Sequence, residues 1–171
     1  ETFTLPSFDF SIYFNDFIIL HSPAVKLSRM GRNSGGLVIL IRKRLSEFVK
    51  SIDTKHENIL CSRLSKQLFG CEKDVLFVGL YNHPVGSAFY ENKEYSCSLD
   101  LLEQFLLSQM ESGEDPYFLI GGDFNSRIGD WSFDVLDDVD DDDDDYVYTF
   151  ERRSQDTVIN NFGKNLIQLC Y

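Results

Sequence analysis

Hydrophobic residues in this chain are gathered into short, separated runs, and this feature most limits what the chain can fold into. Phe17–Leu20, Leu37–Ile41, Ile59–Leu64, Val75–Tyr81 and Tyr117–Ile120 are each a few residues long and bounded by polar or turn-forming residues. Runs of this length read as β-strands, and none approaches the length of a membrane span. Several are continuous rather than alternating, as expected of strands covered on both faces. Two segments have helical spacing instead. Tyr95, Leu99, Leu102, Leu106 and Met110 step by four and three, and Ile159, Phe162, Leu166 and Cys170 do so near the end, with Ser154 as an N-cap ahead of them. Four strands, a helix, a strand, a loop and a helix predict an α/β fold with sheets packed face to face and helices outside. Arg32-Asn33-Ser34-Gly35-Gly36 is turn chemistry leading into Leu37–Ile41, which suits a hairpin.

The 171 residues suffice for one core and are marginal for two. No repeat or Pro/Gly/Ser linker divides them, so residues 1–171 are expected to form one domain. No basic segment followed by an apolar stretch opens the chain. It begins at Glu1 rather than Met, which points to truncation. Cys61, Cys71, Cys97 and Cys170 have neither CxxC nor zinc-ligand spacing, and Cys61 and Cys170 read as buried free thiols. A reducing compartment, nuclear or cytoplasmic, is the expectation.

The net charge of −12 opposes a strongly basic DNA-binding surface. Nine of the 28 acids, however, lie between Asp134 and Asp145; the other 19 stand against 16 bases, a net −3. Nucleic acid therefore remains open as a partner for an enzyme that recruits metal ions. The acidic stretch 133–148 reads as a solvated, irregular loop, since clustered like charges repel. Asp140, Asp142, Asp144 and Glu151 match calcium-loop spacing, but Asp145 stands where that loop needs glycine.

Chemistry concentrates at Tyr117-Phe118-Leu119-Ile120-Gly121-Gly122-Asp123-Phe124-Asn125, an apolar strand ending in two glycines that permit close approach. If extended backbone continues, Asp123 and Asn125 share one side and Phe124 takes the other. A carboxylate can take a proton from water, and an amide can orient a nucleophile. The same residues equally make an ordinary turn capped by Asn. Tyr81-Asn82-His83-Pro84 ends another apolar strand; Tyr81 can offer its hydroxyl to a phosphate or simply be a half-buried core residue, and His83 reads as a surface turn residue.

These elements resemble the endonuclease/exonuclease/phosphatase superfamily, with its DNase I-like fold. Glu1-Thr2-Phe3, Gly35-Gly36-Leu37-Val38-Ile39-Leu40, Tyr81-Asn82-His83-Pro84, Gly121 to Gly129, Arg152-Arg153-Ser154-Gln155-Asp156 and Asn160 to Leu166 occur in one order. That order resembles the apurinic-like endonuclease domain of non-LTR (LINE-type) retrotransposons. The resemblance implies a four-layer α/β sandwich, incomplete here, with 133–148 as an inserted acidic loop. It implies Mg²⁺ (or Mn²⁺) on Glu1, Asp123 activating the attacking water, Asn125 orienting nucleophile and phosphate, Tyr81 as the active-site tyrosine, and Asp156 in a second tier, more structural than catalytic. It also implies DNA and a reverse-transcriptase domain of the parent polyprotein as partners, and no membrane. Asn82-His83-Pro84 departs from the usual Arg-Pro-Pro. The family's upstream Asn and terminal Ser-Asp-His have no counterpart; the histidines are His21, His56 and His83. The chain by itself is therefore expected to be nearly inactive. Inositol-phosphate or sphingomyelin phosphodiesterases of the same superfamily, and a degenerate fragment acting as an interaction module, are the alternatives.

Overall fold

A computed structural model describes residues 2–27, 33–91, 93–131, 134–135, 148–149 and 156–170. Glu1, most of the acidic stretch with its calcium-loop spacing, and Ser154 lie outside them. The chain divides into two compact units, 1–125 and 126–171.

The first unit opens with a hairpin. β1 (Phe17–Ser22) and β2 (Leu37–Arg42) pair antiparallel, with Phe17 opposite Arg42 and Ser22 opposite Leu37. A bridge between Val25 and Ser34 continues it toward the Gly35-Gly36 turn. A second sheet has the order β3-β4-β5-β6: β3 (Val49–Ile52), β4 (Ile59–Leu64), β5 (Val75–Tyr81) and β6 (Tyr117–Asp123). Its first three strands are antiparallel neighbours and β5 runs parallel to β6. The bounds of β4 and β5 are those the apolar runs predict, whereas β6 continues through both glycines to Asp123. β3 is unforeseen because Val-Lys-Ser-Ile is too short and too mixed for a periodic signal.

The hairpin lies against the larger sheet, with β2 contacting β4 and β5, and β1 contacting β4. Gly79 of β5 faces the Ile39 side chain of β2. The alternate residues Leu76, Val78 and Leu80 are fully buried and point to the other face, where the long helix packs on β5. After the single turn α1 (Lys66–Phe69), that helix is α2 (Ser98–Glu111), which forms the crossover that a parallel pair requires. Its buried stripe is Leu99, Leu101, Leu102 and Phe105. Met110, expected on that stripe, is exposed, the buried residues of α2 all lying between Ser98 and Phe105. Two sheets face to face with a helix outside make the mixed α/β sandwich of the DNase I-like type.

In the second unit, α3 (Asn161–Leu169) is capped by Asn160 and not by Ser154. Phe162 is buried as its spacing predicts, but Ile159 and Cys170 are exposed, Cys170 because it is the C-cap residue. Cys61 is buried as expected, and burial pushes its thiol up to about 12. β7 (Asp134–Val135) and β8 (Tyr148–Thr149) form a two-residue antiparallel ladder, so the ends of the acidic stretch are regular rather than irregular. Among the described residues, no helix is long and apolar enough to cross a membrane.

Candidate active site

β5 and β6 deliver their last residues side by side. Tyr81 and Asp123 are register partners in the parallel pair, so their side chains leave the same face of the sheet at the same end. The Tyr81 N–H donates to the Asn58 carbonyl at 3.0 Å, which holds the strand end against the start of β4. Gly122 is what lets β6 come so close. With φ at +143° it has a backbone few side chains adopt, and a Cβ there would collide with the Leu80 carbonyl oxygen. Gly121 has open space around it, so the two glycines are not equivalent.

Extended backbone ends at Asp123. Asn125 has φ +46°, a left-handed conformation that Asn tolerates better than most residues. Its own N–H donates to Asp123 Oδ1 at 3.0 Å, closing a turn of the Asx kind. The shared side expected from strand alternation is therefore replaced by a turn that folds Asn125 back over Asp123. The Asn125 side-chain nitrogen donates to the Asn82 carbonyl at 2.7 Å, and the Asn82 N–H donates to the Asp123 carbonyl at 2.8 Å. Asp123 is exposed, while Asn125 is half-buried.

Tyr81 is buried, at 4% exposure, which is more than the half-burial its position at a strand end predicts. Gly35 lies against its ring, and the His83 imidazole meets it edge-on at 4.6 Å between centroids. His83 corrects the sequence reading outright. It is 0% exposed, stacked on Phe89 at 3.8 Å, with its Nδ1 3.2 Å from the Ser34 hydroxyl. A turn residue became a core residue because Phe89, six residues on, and the Gly35 turn, remote in sequence, close over it. Asn82 is the residue sequence reasoning passed over. It is 0% exposed, and its side chain joins Phe124, Ser98 and Tyr90. The signal was present: a polar residue directly after a strand whose side chains up to Leu80 are all apolar.

Asp156 is placed in the second unit with Arg127. The guanidinium is bidentate on its carboxylate, at 2.7 and 2.8 Å, and Asp156 Oδ1 also accepts from the Val158 N–H. That carboxylate raises the Arg127 pKa, through the hydrogen bond first.

The family model described as endonuclease/exonuclease/phosphatase matches residues 3–166. The chain belongs to that family. The match runs through both compact units and takes in Tyr81, Asp123, Asn125 and Asp156. No curated protein and no solved structure matches the chain. Membership sets the activity class as hydrolysis of phosphoester bonds, in a family whose members typically depend on a divalent metal.

Among the described residues, no group of three or more His, Cys, Asp or Glu could hold a metal ion. The donors at this end are hard oxygens, chiefly the exposed Asp123 carboxylate beside the Asn125 amide. Such a set suits Mg²⁺, which keeps several waters and takes only one or two carboxylates. It does not suit zinc, which would draw on His and Cys that this end does not cluster.

Proposed function

We propose that this chain is the endonuclease of a non-LTR retrotransposon, cutting one strand of duplex DNA by Mg²⁺-dependent hydrolysis to leave a 3′ end for reverse transcription. The observation that carries the hydrolytic part is the register pairing of Tyr81 with Asp123, with Asn125 folded back onto both Asp123 and Asn82. The ordered motifs from Gly35-Gly36 to Asn160–Leu166 support the retrotransposon branch over the inositol-phosphate and sphingomyelin branches.

In this reading Asp123 accepts the proton of the attacking water, for which an exposed carboxylate at a strand end is suitably open. Asn125 orients that water and a phosphoryl oxygen through its amide, and the left-handed turn holds it over Asp123. Tyr81 lends its hydroxyl to the phosphate from the strand end, its ring being locked by His83 and Gly35. Glu1 would hold a hydrated Mg²⁺, and that cation would supply charge neutralisation on the phosphate. Asp156 has a structural part, fixing Arg127 within the second unit. DNA and the reverse-transcriptase domain of a parent polyprotein are the partners this proposal requires.

The test is nicking of supercoiled plasmid by the full product of the gene, with Mg²⁺ and with chelator. Nicking that needs Mg²⁺ and drops by about three orders of magnitude in Asp123→Ala is the expected result. Hydrolysis of inositol phosphates or sphingomyelin without nicking would move the chain to another branch. Undiminished nicking by Asp123→Ala would remove Asp123 from the site.

A further inference from the structure

We propose that Asn82 is a positioning residue for the Asp123–Asn125 pair, tying the loop that carries them to the N-terminus of α2; the proposal rests on the hydrolytic reading above. Asn82 meets that loop three times. Its N–H donates to the Asp123 carbonyl at 2.8 Å, its Nδ2 donates to the Phe124 carbonyl at 2.9 Å, and its carbonyl accepts from Asn125 Nδ2 at 2.7 Å. Each of the three consecutive loop residues is thus held by one residue of the neighbouring strand end. The side-chain oxygen faces the other way. It accepts from the Ser98 N–H at 2.9 Å, the Tyr90 hydroxyl at 2.8 Å and the Cys97 thiol at 3.6 Å.

The Ser98 N–H is one of the helix donors that lack a partner within the helix. Asn82 supplies that partner, and Asn58 Nδ2 donates to the Ser98 hydroxyl at 3.1 Å from the opposite side. Ser98, Asn82 and Asn58 are all buried, so water cannot replace a missing bond. An amide is the one uncharged side chain of this size that donates on one side and accepts on the other. A cationic side chain such as Arg or Lys has no acceptor and could not meet the helix N–H. The chain therefore uses this position for internal placement, and Asn125 is aimed by a residue that touches no substrate.

Asn82→Asp separates placement from mere stability. The variant keeps its shape and the acceptor facing Ser98 but sets a carboxylate oxygen against the Phe124 carbonyl. Burial favours the neutral acid, and the acid's O–H restores the lost donor. The titratable groups facing this side chain are Tyr90 and Cys97, both pushed up by burial and so neutral near pH 7, with Asp123 on the loop itself.

In the full gene product, the ratio of variant to wild-type kcat for nicking should fall about 100-fold at pH 8.5 and close toward unity near pH 5.5, with KM unchanged. The Asn125 side-chain amide cross-peak in NMR should move with the same titration. A ratio independent of pH, or a stationary cross-peak, overturns the proposal. Should Asn82→Asp not fold, Tyr90→Phe removes the hydroxyl that donates to Asn82 and also reaches the His83 carbonyl and the Ser98 hydroxyl; a loss in kcat of about threefold to tenfold with the Asn125 cross-peak displaced supports the coupling, and an unchanged kcat or an unmoved cross-peak overturns it. Asp123→Ala nicking as fast as wild type would instead bring down the hydrolytic reading, while the Asn125 cross-peak would still decide whether Asn82 places the loop.

Discussion

Asn82 in residues 1–125 and Asn160 in residues 126–171 solve the same problem in different surroundings. Each sends a side-chain oxygen to the first turn of a helix and ties that helix to a loop. Asn82 serves α2 through the Ser98 N–H and holds Phe124. Asn160 serves α3 through the Gly163 N–H at 2.6 Å and holds the Arg127 N–H at 3.1 Å. Each unit also has a glycine where a Cβ would collide with a carbonyl oxygen, that of Leu80 for Gly122 and that of Arg127 for Gly163. The difference is water. Asn82 is wholly buried, whereas Asn160 is half-exposed and its bond to Arg127 is solvent-exposed. Similar hydrogen bonds should therefore matter differently, because only a buried group left unpaired incurs the full desolvation cost.

The largest effect should come from the glycines. Gly122→Ala forces both a φ of +143° and the collision with Leu80, and should cost about 3 kcal/mol or more in urea unfolding. Gly163→Ala should cost less, because its helical backbone suits alanine and only the approach to Arg127 must relax. Gly121→Ala, with open space around it, should be tolerated. Equal losses at Gly122 and Gly121 would show that the close approach of β6 to Leu80 is not what the motif protects.

Next come the asparagines. Asn82→Ala removes the acceptor of the Ser98 N–H and the donor to the Phe124 carbonyl and should cost about 2–4 kcal/mol. Asn160→Ala, an ordinary N-cap deletion, should cost about 1 kcal/mol. Chemical denaturation of both variants measures the gap directly, and its reversal would break the burial argument.

Smaller still is Arg127→Ala, which removes an exposed ion pair with Asp156. The loss in thermal midpoint should be slight and should vanish in concentrated salt, unlike that of Asn160→Ala. A loss that persists in salt would mean that the pair is more than a surface contact.

The smallest effect is a pH dependence in the first unit. Burial lowers the His21 pKa below its ordinary 6.5. The folded state thus binds fewer protons than the unfolded chain in that interval, so stability is full above about pH 6.5 and declines as pH falls through the lowered value. Thermal midpoints of His21→Asn should be flatter over this range than those of wild type. Identical slopes would assign the dependence to another group.

These contrasts also mark how much of the molecule was legible in its sequence. β4 and β5 have the limits their apolar runs predict, β5 because a largely buried strand is apolar along its length, and β4 even though Ser62 and Arg63 interrupt its apolar residues. Gly-Gly-Asp-Phe-Asn declared a strand end with close backbone approach, and Gly122 has it. α3 was visible from its spacing, but its cap was not: Ser154 and Asn160 are both good N-cap types, and the choice depends on where Arg127 lies. β3 and the short β7–β8 ladder left no trace, since two to four mixed residues carry no period.

Local pattern, then, determined β1, β2, β4, β5, β6 and the sandwich class, and the family resemblance singled out Tyr81, Asp123 and Asn125 as candidate site residues. Tertiary structure alone decided that Tyr81 and Asp123 are register partners, that Asn125 turns back with φ +46°, and that His83 and Asn82 are buried. The physical reason is the reach of the interaction. An apolar run shows in its own residues, whereas burial of a polar side chain is decided by partners such as Ser34, Phe89 and Ser98, which only the closed fold brings together.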